Sequence, residues 1–419
     1  MVRFLAAVMT RNVLALACCV TLTAGDLTQL RQLEEKHRMF ELRDLLDAPG
    51  ENGAETPVYR AITNSRFGRE REAVSQFRAF LATNPAPEME RKARYELSNA
   101  LTRLGESGEA ASELAAALRL TPEAEAGRAD SENARAFLAS LSGVGAQTVE
   151  FGPPAPIQAR RNELGLWVVP LDINSQRSEW ILDTGASLST VTESEARRMG
   201  LAIREVHGYA RGYTQAKNPA RLAVAGEMGL GYARLRNVVF LVLADEALRI
   251  PPLKDPIHGI LGLPALRALG CVDLSAKGEL TLDCGAKPSQ GRPNFFFDGL
   301  TPIVQVLHLG HSLQMTLDTG SRATLLYPSV RDALAQWERY QLTSPEAWGF
   351  GGPGGPVQVQ ASTVPSIQLE IQGRTLYLQG IKLLSQALEG AGLRDGILGI
   401  DAFAGGFRLD FRAMQFSPK

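Results

Sequence analysis

Two patterns of apolar and polar residues divide the chain. From Asp26 to about Gly143 apolar residues recur every three or four positions, which is the spacing of amphipathic helices. Farther on, short apolar runs over 166–171, 237–243 and 357–360 are separated by Gly, Pro and Asn, which is typical of strands. The sequence therefore predicts a multidomain chain in which an all-α region precedes an all-β region.

The helical segment contains an internal repeat at an offset of 37 residues. The order is Gly, a Glu-Ala pair, two large apolar residues and Pro: Gly68, Glu72, Ala73, Phe77, Leu81 and Pro85, then Gly105, Glu109, Ala110, Leu114, Leu118 and Pro122. This order resembles the tetratricopeptide helix-turn-helix unit, whose period is about 34 residues. A short array of this kind is either a docking surface for a peptide or protein partner or a structural cap, and both interpretations stay open.

Residues 1–25 have the features of a secretory signal peptide. Arg3 and Arg11 precede an apolar run from Val13 to Leu22, and small residues follow. The run is too short to span a bilayer. We expect export to the periplasm or the medium without a stable membrane span; a buried first helix is the alternative.

Two cysteines remain after that segment, Cys271 and Cys284, and the residues between them read as two short strands around a turn. A two-residue turn at Lys277-Gly278 would pair residue 276 with 279. The cysteines would then face each other at a non-hydrogen-bonded site. That arrangement permits a disulfide, and two buried free thiols are the alternative.

The β region has a repeat of its own. The sequence Ile-Leu-Asp-Thr-Gly-Ala-Ser over 181–187 is echoed at an offset of 135 by Thr-Leu-Asp-Thr-Gly-Ser-Arg over 316–322. Farther on, Gly-Ile-Leu-Gly over 259–262 recurs over 396–399 at an offset of 137. Each Asp-Thr-Gly triplet thus follows an apolar strand and precedes an apolar-apolar-Gly element, which predicts two similar β lobes.

These paired triplets resemble those of the aspartic proteases, both the pepsin-like two-lobed enzymes and the retropepsin-like group, over residues 160–416. In that family each lobe supplies one Asp-Thr-Gly loop, and the apolar-apolar-Gly segment completes a psi-shaped motif beneath it. The resemblance implies a bilobal fold of two pseudo-symmetric, barrel-like β lobes. It also implies a catalytic dyad of Asp183 and Asp318, with Gly262 and Gly399 closing the psi motifs.

The resemblance implies roles for the neighbouring residues. Thr184 and Thr319 would reach across the pseudo-two-fold axis to lock the loops together. The small Gly185 and Gly320 would let backbone amides approach the carboxylates. Two adjacent carboxylates cannot both ionise cheaply, so they share a proton and hold a water, and one acts as base while the other polarises the scissile carbonyl. This chemistry needs no metal and no cofactor.

A flap over the cleft is expected between each triplet and its psi element. The Gly-rich stretch from Trp348 to Gly355 suits a mobile tip with Phe350 as its aromatic residue, and an offset of 137 aligns Tyr213 with Phe350. Tyr209 is an equally placed rival for Tyr213. An aromatic tip excludes water from bound substrate; an exposed loop without substrate contact is the alternative.

Several other side chains bear on the site. Arg322 stands where retropepsin-like enzymes tend to carry an acidic residue, and a cation there would favour ionisation of Asp318. His308 and His311 flank a turn at a spacing poor for metal binding, so we interpret them as surface or core residues. His258, beside the psi element, suits a structural role.

The patterns and the resemblance together predict five segments. They are a signal peptide over 1–25, a tetratricopeptide-like helical domain over 26–142, a linker over 143–161, and protease lobes over 162–290 and 291–419. Retropepsins are usually dimers of one lobe. Because both lobes lie in one chain here, we expect a monomer.

Charge and composition narrow the function. The net charge is -1, without a long single-sign block, which argues against nucleic acid as a partner. We therefore predict an exported aspartic endopeptidase that acts on a peptide or protein substrate. A catalytically silent scaffold, binding partners through the helical repeats and the β cleft, is the alternative. A third interpretation makes residues 26–150 a prosegment that blocks the cleft.

Overall fold

The computed structural model describes residues 27–48, 53–210, 218–249, 253, 256–285, 291–352, 355–388 and 390–419. The predicted signal peptide and Tyr213 lie outside these residues. Across the described ranges, no helix is both long enough and apolar enough to cross a membrane. The chain divides into two compact units, Met1–Thr56 and Pro57–Lys419.

The segment with helical spacing forms helices, as predicted. They are α1 (Leu27–Glu35), α2 (Met39–Asp47), α3 (Thr56–Arg66), α4 (Glu70–Leu81), α5 (Pro87–Leu104), α6 (Ser107–Arg119) and α7 (Arg128–Ser140). Gly68 and Gly105, which open the two sequence repeats, have φ of 80° and 81°. Glycine tolerates this left-handed conformation, so each repeat begins at a turn between helices.

In the first unit, Arg31 Nη2 lies 2.8 Å from Glu55 Oε2.

The rest of the chain is rich in strands, as the short apolar runs predict. The first part contains β1 (Thr148–Phe151), β2 (Ile157–Gln158), β3 (Arg160–Arg161), β4 (Trp167–Ile173), β5 (Gln176–Leu182), β6 (Ser189–Thr192), α8 (Glu193–Arg198), β7 (Arg204–Ala210), β8 (Asn218–Leu230), β9 (Ala233–Leu243), β10 (Gly259–Leu261), α9 (Leu263–Ala268), β11 (Cys271–Ser275) and β12 (Glu279–Leu282).

The second part follows with β13 (Phe295–Asp298), β14 (Thr301–His308), β15 (His311–Leu317), β16 (Leu325–Leu326), α10 (Gln336–Tyr340), β17 (Glu346–Gly352), β18 (Gly355–Ile371), β19 (Arg374–Leu384), β20 (Gly396–Leu398), β21 (Gly406–Asp410) and β22 (Gln415–Pro418).

Two larger sheets repeat the same connectivity. The first has the order β1-β9-β6-β10-β5-β4-β8-β7 with β3 beside β4, and the second has β13-β14-β15-β20-β16-β19-β18-β17. In the first sheet β10 runs parallel to β5 and antiparallel to β6. In the second, β20 has the same relation to β15 and β16. The sequence repeat is therefore also a repeat of strand pairing.

A five-stranded sheet joins the two parts, in the order β2-β12-β11-β21-β22. Its central pair is β11 with β21, antiparallel from Cys271 opposite Asp410 to Ser275 opposite Gly406. Buried Phe403 packs edge-to-face against Phe407 and Phe416. Strands from both repeats thus share one sheet and its core.

The segment over 143–161, predicted as a linker, is built into the sheets instead. β1 pairs with β9, β2 with β12, and β3 with β4. The Thr-Val-Glu-Phe sequence of β1 alternates polar and apolar residues, and Val149 packs against the core. Its neighbouring prolines, at 153, 154 and 156, lie between strands, where they remove no ladder hydrogen bond.

The hairpin between the cysteines differs by one residue from the predicted register. Leu274 pairs with Leu280, so three residues rather than two form the turn, and Gly278 takes a φ of 83° there. This is the geometry of a three-residue hairpin with a left-handed glycine. Cys271 therefore lies opposite residue 283, whose N–H donates to the Cys271 carbonyl at 2.9 Å.

The structure nevertheless contains a disulfide between Cys271 and Cys284, with their Cα atoms 5.6 Å apart. Asp283 and Cys284 have φ of 59° and 35°. These positive values turn the chain out of the ladder, which brings Cys284 back toward Cys271. The disulfide thus depends on the turn that follows β12 and not on the cross-strand pairing predicted from the sequence.

Buried ion pairs connect the helices to both repeats of the β region. Glu70 of α4 accepts from Arg103 Nε of α5 at 3.2 Å and from Arg267 Nη2 of α9 at 2.8 Å. Arg103 Nη1 also donates to the Gly299 carbonyl at 2.8 Å. Burial lowers the pKa of Arg103 to about 10, against the opposing effect of the Glu70 carboxylate.

A second part of this network lies beside the first. Arg66 of α3 bridges Glu96 of α5 at 2.8 Å and Asp298 of β13 at 3.3 Å. Asp298 also accepts from Arg394 Nη2 at 3.1 Å. Side chains of α3, α4 and α5 therefore share counterions with residues of both repeats.

We expect Glu70→Gln to lower the free energy of unfolding by about 3–5 kcal/mol, because it leaves the buried Arg103 and the half-buried Arg267 without their shared counterion. Urea denaturation followed by circular dichroism measures this change. Glu72→Gln is the matched control on the exposed face of α4, with an expected effect below about 1 kcal/mol. Equal effects of the two substitutions would contradict the assignment.

Candidate active site

Each Asp-Thr-Gly triplet begins where a strand of one parallel pair ends. Asp183 follows β5, and its N–H donates to the Leu261 carbonyl of β10 at 3.0 Å. Asp318 follows β15, and its N–H donates to the Leu398 carbonyl of β20 at 3.1 Å. The parallel partner therefore fixes the point at which each aspartate leaves its sheet.

The two triplets are tied together by their threonines, both fully buried. Thr184 Oγ1 donates to the Leu317 carbonyl at 2.7 Å, and Thr319 Oγ1 donates to the Leu182 carbonyl at 2.9 Å. Each hydroxyl also accepts from the backbone N–H of the opposite threonine, at 3.0 and 3.1 Å. The four hydrogen bonds fix the position of one loop relative to the other.

Glycine is required after both threonines. A Cβ atom added to Gly185 would lie 2.6 Å from Asp318 Cγ, and one added to Gly320 would collide with the Asp183 carboxyl group. Gly185 N–H donates to Asp183 Oδ1 at 2.7 Å, and Gly320 N–H donates to Asp318 Oδ1 at 2.9 Å. Because glycine has no side chain, each carboxyl group can lie against the opposite loop.

Gly262 and Gly399 occupy equivalent places beneath the loops. A Cβ atom on Gly262 would lie 2.5 Å from the Leu188 carbonyl carbon, and one on Gly399 would lie 2.5 Å from that of Ala323. Gly262 N–H donates to Ser189 Oγ at 3.0 Å. The chain thus passes under each triplet loop at a distance that leaves room only for hydrogen.

The two carboxyl groups interact at close range, with Asp318 buried and Asp183 half-buried. Burial raises the pKa of Asp183, and the N–H groups of Gly185 and Ala186 oppose that rise. Burial and then the Asp183 charge raise the pKa of Asp318 well above its ordinary range. Two carboxyl groups this close cannot both ionise cheaply, so the pair holds a proton where isolated carboxyls would have lost theirs.

The predicted effect of Arg322 is not found. Its side chain is exposed, and the pKa of Asp318 is raised rather than lowered. Buried Tyr327 lies close enough that the Asp318 charge adds to the effect of burial, which raises the pKa of Tyr327 to about 12. The neighbourhood of Asp318 therefore favours its protonated form.

A cavity of about 940 Å³ opens onto the carboxyl pair. Asp183 and Asp318 line it together with residues of α5, α6 and α7, among them Leu114, Phe137 and Leu138. The main prediction placed no helical residue at the site, whereas the prosegment interpretation placed residues 26–150 at the cleft. Their apolar spacing indicates amphipathic helices but does not say which surface those helices cover.

In the predicted flap regions, β7 pairs with β8 and β17 pairs with β18, both antiparallel. Phe350 lies in β17, and its backbone pairs with Val357 of β18. Tyr209 lies in β7, lines the cavity and donates from its hydroxyl to Asp130 Oδ1 of α7 at 2.9 Å. Of the two rival tyrosines, Tyr209 is thus the one whose contacts can be described.

His308 and His258 form hydrogen bonds with groups outside the two Asp-Thr-Gly triplets. His308 is fully buried, with Nδ1 2.8 Å from the Gln368 carbonyl and Nε2 3.0 Å from Glu338 Oε2. His258 offers its carbonyl to the N–H of Thr192. In the part of the chain that the structure describes, no group of three His, Cys, Asp or Glu residues is arranged to hold a metal ion.

Comparison with known proteins bears on the first repeat. A family model described as aspartyl protease matches residues 169–265, a range that includes Asp183 and Gly262. Among solved structures, the chain is similar to a retropepsin-like aspartic protease from Rickettsia conorii at 22% sequence identity, over 33% of this chain and 95% of that chain, with a TM-score of 0.23. No curated protein matches.

The raised pKa of Asp318 predicts a pH-dependent cost to stability. The folded state holds a proton that the unfolded chain releases, so stability falls as the pH rises from the ordinary carboxyl range through the raised pKa. Asp318→Asn removes the contribution of this group and leaves that of Asp183, whose pKa burial also raises. We expect the variant to be more stable than the wild type at pH 7 by more than about 1 kcal/mol.

Urea unfolding of both proteins between pH 4 and pH 8 tests this expectation. Asp332→Asn, at an exposed position, serves as the control and should follow the wild type across the range. Parallel pH profiles for the wild type and Asp318→Asn would contradict the prediction.

Proposed function

We propose that the chain is an aspartic endopeptidase with two pseudo-symmetric lobes, in which Asp183 and Asp318 form the catalytic dyad. The observation that carries the proposal is the pair of carboxyl groups, each against the opposite Asp-Thr-Gly loop, in the wall of a cavity. The aspartyl protease model that matches residues 169–265 supports the same class. The equivalent strand order of the two larger sheets supports the two-lobed arrangement.

The mechanism follows from the shared proton. The ionised carboxylate of the pair removes a proton from a water held between the two groups, and the resulting nucleophile attacks the carbonyl carbon of a peptide bond. The protonated carboxyl group donates to the carbonyl oxygen as negative charge develops there. The two aspartates titrate as a unit, so the roles belong to the pair.

The fixed geometry of the loops supports this chemistry. The threonine hydroxyls and the N–H groups of Gly185 and Gly320 hold both carboxyl groups in place before substrate arrives. A site whose dipoles are already oriented needs little reorganisation during the reaction. The psi glycines Gly262 and Gly399 contribute by letting the chain pass closely beneath.

The proposed substrate is an extended peptide with apolar residues around the cleaved bond. Apolar side chains such as Leu114, Phe137, Leu141 and Leu300 line the cavity, and such walls suit apolar side chains. Tyr209 and Phe350 belong to the two hairpins proposed to cover the bound peptide, and Tyr213 is proposed for the tip of the first.

Export and a monomeric state complete the proposal. Residues 1–25 resemble a signal peptide, and a disulfide between Cys271 and Cys284 is typical of proteins from oxidising compartments. Because one chain supplies both carboxyl groups, a second copy is not needed for activity. A docking role for the helical repeats stays part of the proposal.

We expect the purified protein to cleave members of a mixed peptide library, with new termini identified by mass spectrometry between pH 3 and pH 8. Asp183→Asn and Asp318→Asn should each lower the rate by roughly 10²–10⁴-fold, since either one removes a group that transfers the proton. Asp332→Asn should cleave as the wild type does. Cleavage that persists in both dyad variants, or none by the folded wild type, would favour the catalytically silent scaffold.

A further inference from the structure

The outer edge of β7 presents main-chain groups at Tyr209. β7 is the last strand of the first sheet, and Tyr209 pairs with Pro219 of β8. Because proline has no N–H, this pair cannot exchange hydrogen bonds, and the N–H and C=O of Tyr209 point away from β8. Outward groups of this kind are those that an extended peptide binds when it adds to a sheet edge.

The side chain of Asn133 from α7 already occupies both groups. Asn133 Nδ2 donates to the Tyr209 carbonyl at 2.9 Å, and the Tyr209 N–H donates to Asn133 Oδ1 at 2.8 Å. A side-chain amide carries one carbonyl and one N–H group in the same arrangement as a peptide unit. Asn133 thus makes the pair of bonds that a peptide backbone would make.

Two neighbouring features fit this contact. A Cβ atom on Gly208 would lie 2.8 Å from Asn133 Oδ1, so the close approach depends on glycine beside Tyr209. One turn earlier on α7, Asp130 accepts from the Tyr209 hydroxyl at 2.9 Å. The helix therefore holds both the backbone and the side chain of Tyr209.

The contact lies in the wall of the candidate active site. Asn133 and Tyr209 line the same cavity as Asp183 and Asp318. An N–H group carries a single hydrogen, so a peptide cannot accept from Tyr209 while Asn133 does. A substrate that runs along β7 to the carboxyl pair must displace the Asn133 amide.

We propose that α7 competes with the substrate: Asn133 occupies the main-chain site at Tyr209 that an extended peptide takes, and binding of the peptide requires release of α7 from β7. The identity of the occupant rests on the proposed protease function. The contact itself does not, so the two can be tested separately.

Asn133→Leu removes both hydrogen bonds with little change in volume and suits a helix. We expect kcat/KM for the best library peptide to rise roughly five- to fifty-fold, mainly through a lower KM. The reason is that the peptide no longer has to displace the two hydrogen bonds between Asn133 and Tyr209. Glu132→Leu is the matched control, since it places the same residue at the adjacent exposed position of α7. It should leave kcat/KM unchanged.

Asp130→Ala provides a second variant in case Asn133→Leu does not fold, as judged by circular dichroism. It removes the acceptor of the Tyr209 hydroxyl and leaves the Asn133 bonds intact, so we expect a rise of roughly two- to five-fold. A fall in kcat/KM in either folded variant would overturn the proposal, because α7 would then support β7 in catalysis and not oppose substrate.

A binding measurement separates this proposal from the proposed catalysis. The probe is a fluorescein-labelled extended peptide with apolar central residues and a reduced, uncleavable central bond, read by fluorescence polarisation. Tighter binding by Asn133→Leu without cleavage by any variant supports the competition and overturns the protease function. Cleavage by the wild type with unchanged KM and unchanged binding in Asn133→Leu overturns the competition alone. No cleavage and unchanged binding overturns both.

Discussion

The close approach of the two Asp-Thr-Gly loops is the constraint on which the rest of the structure depends. Gly185 and Gly320 leave space only for a hydrogen atom against the opposite carboxyl group. The threonine hydroxyls bond to carbonyls of the opposite strand ends. Such contacts form only if the strands before the two triplets end at positions that face each other. The parallel pairs β5–β10 and β15–β20 fix those positions, and the shared five-stranded sheet prevents the two parts from shifting.

Two buried charge clusters in the same unit follow opposite rules. The carboxyl pair has no cation among the causes that shift its pKa values, so it holds a proton and keeps charge low. In the network around Glu70 and Arg103 each charged group faces an opposite one. The first cluster is costly to the fold and suited to proton transfer. The second joins the helices to both repeats through ion pairs, and Arg103 and Arg267 also line the cavity that contains the carboxyl pair.

Local patterns in the sequence predicted the secondary structure and the two loops. The long-range contacts have no such local pattern, and they were not predicted. Helical spacing, strand alternation and the repeated triplets specify the elements and bring Asp183 and Asp318 into the expected loops. The predicted register of the hairpin over 271–284 differed from the observed one by one residue, because turns of two and three residues suit the same Lys-Gly sequence. The pairing of Arg267 with Glu70, and of Asn133 with Tyr209, joins distant segments. No pattern within either segment indicates which distant residue it contacts.

The place of α7 changes how specificity should be understood. If a peptide replaces the Asn133 amide at Tyr209, two hydrogen bonds are lost and two equivalent ones form, so the exchange contributes little net free energy. Main-chain pairing then cannot be the source of affinity. The gain must come from side chains buried in the cavity, whose walls include Phe137 and Leu138 of the same helix. Displacing α7 also alters those walls. A helix that supplies both the competing amide and part of the apolar lining therefore selects peptides by whether their side chains replace what the helix gives up.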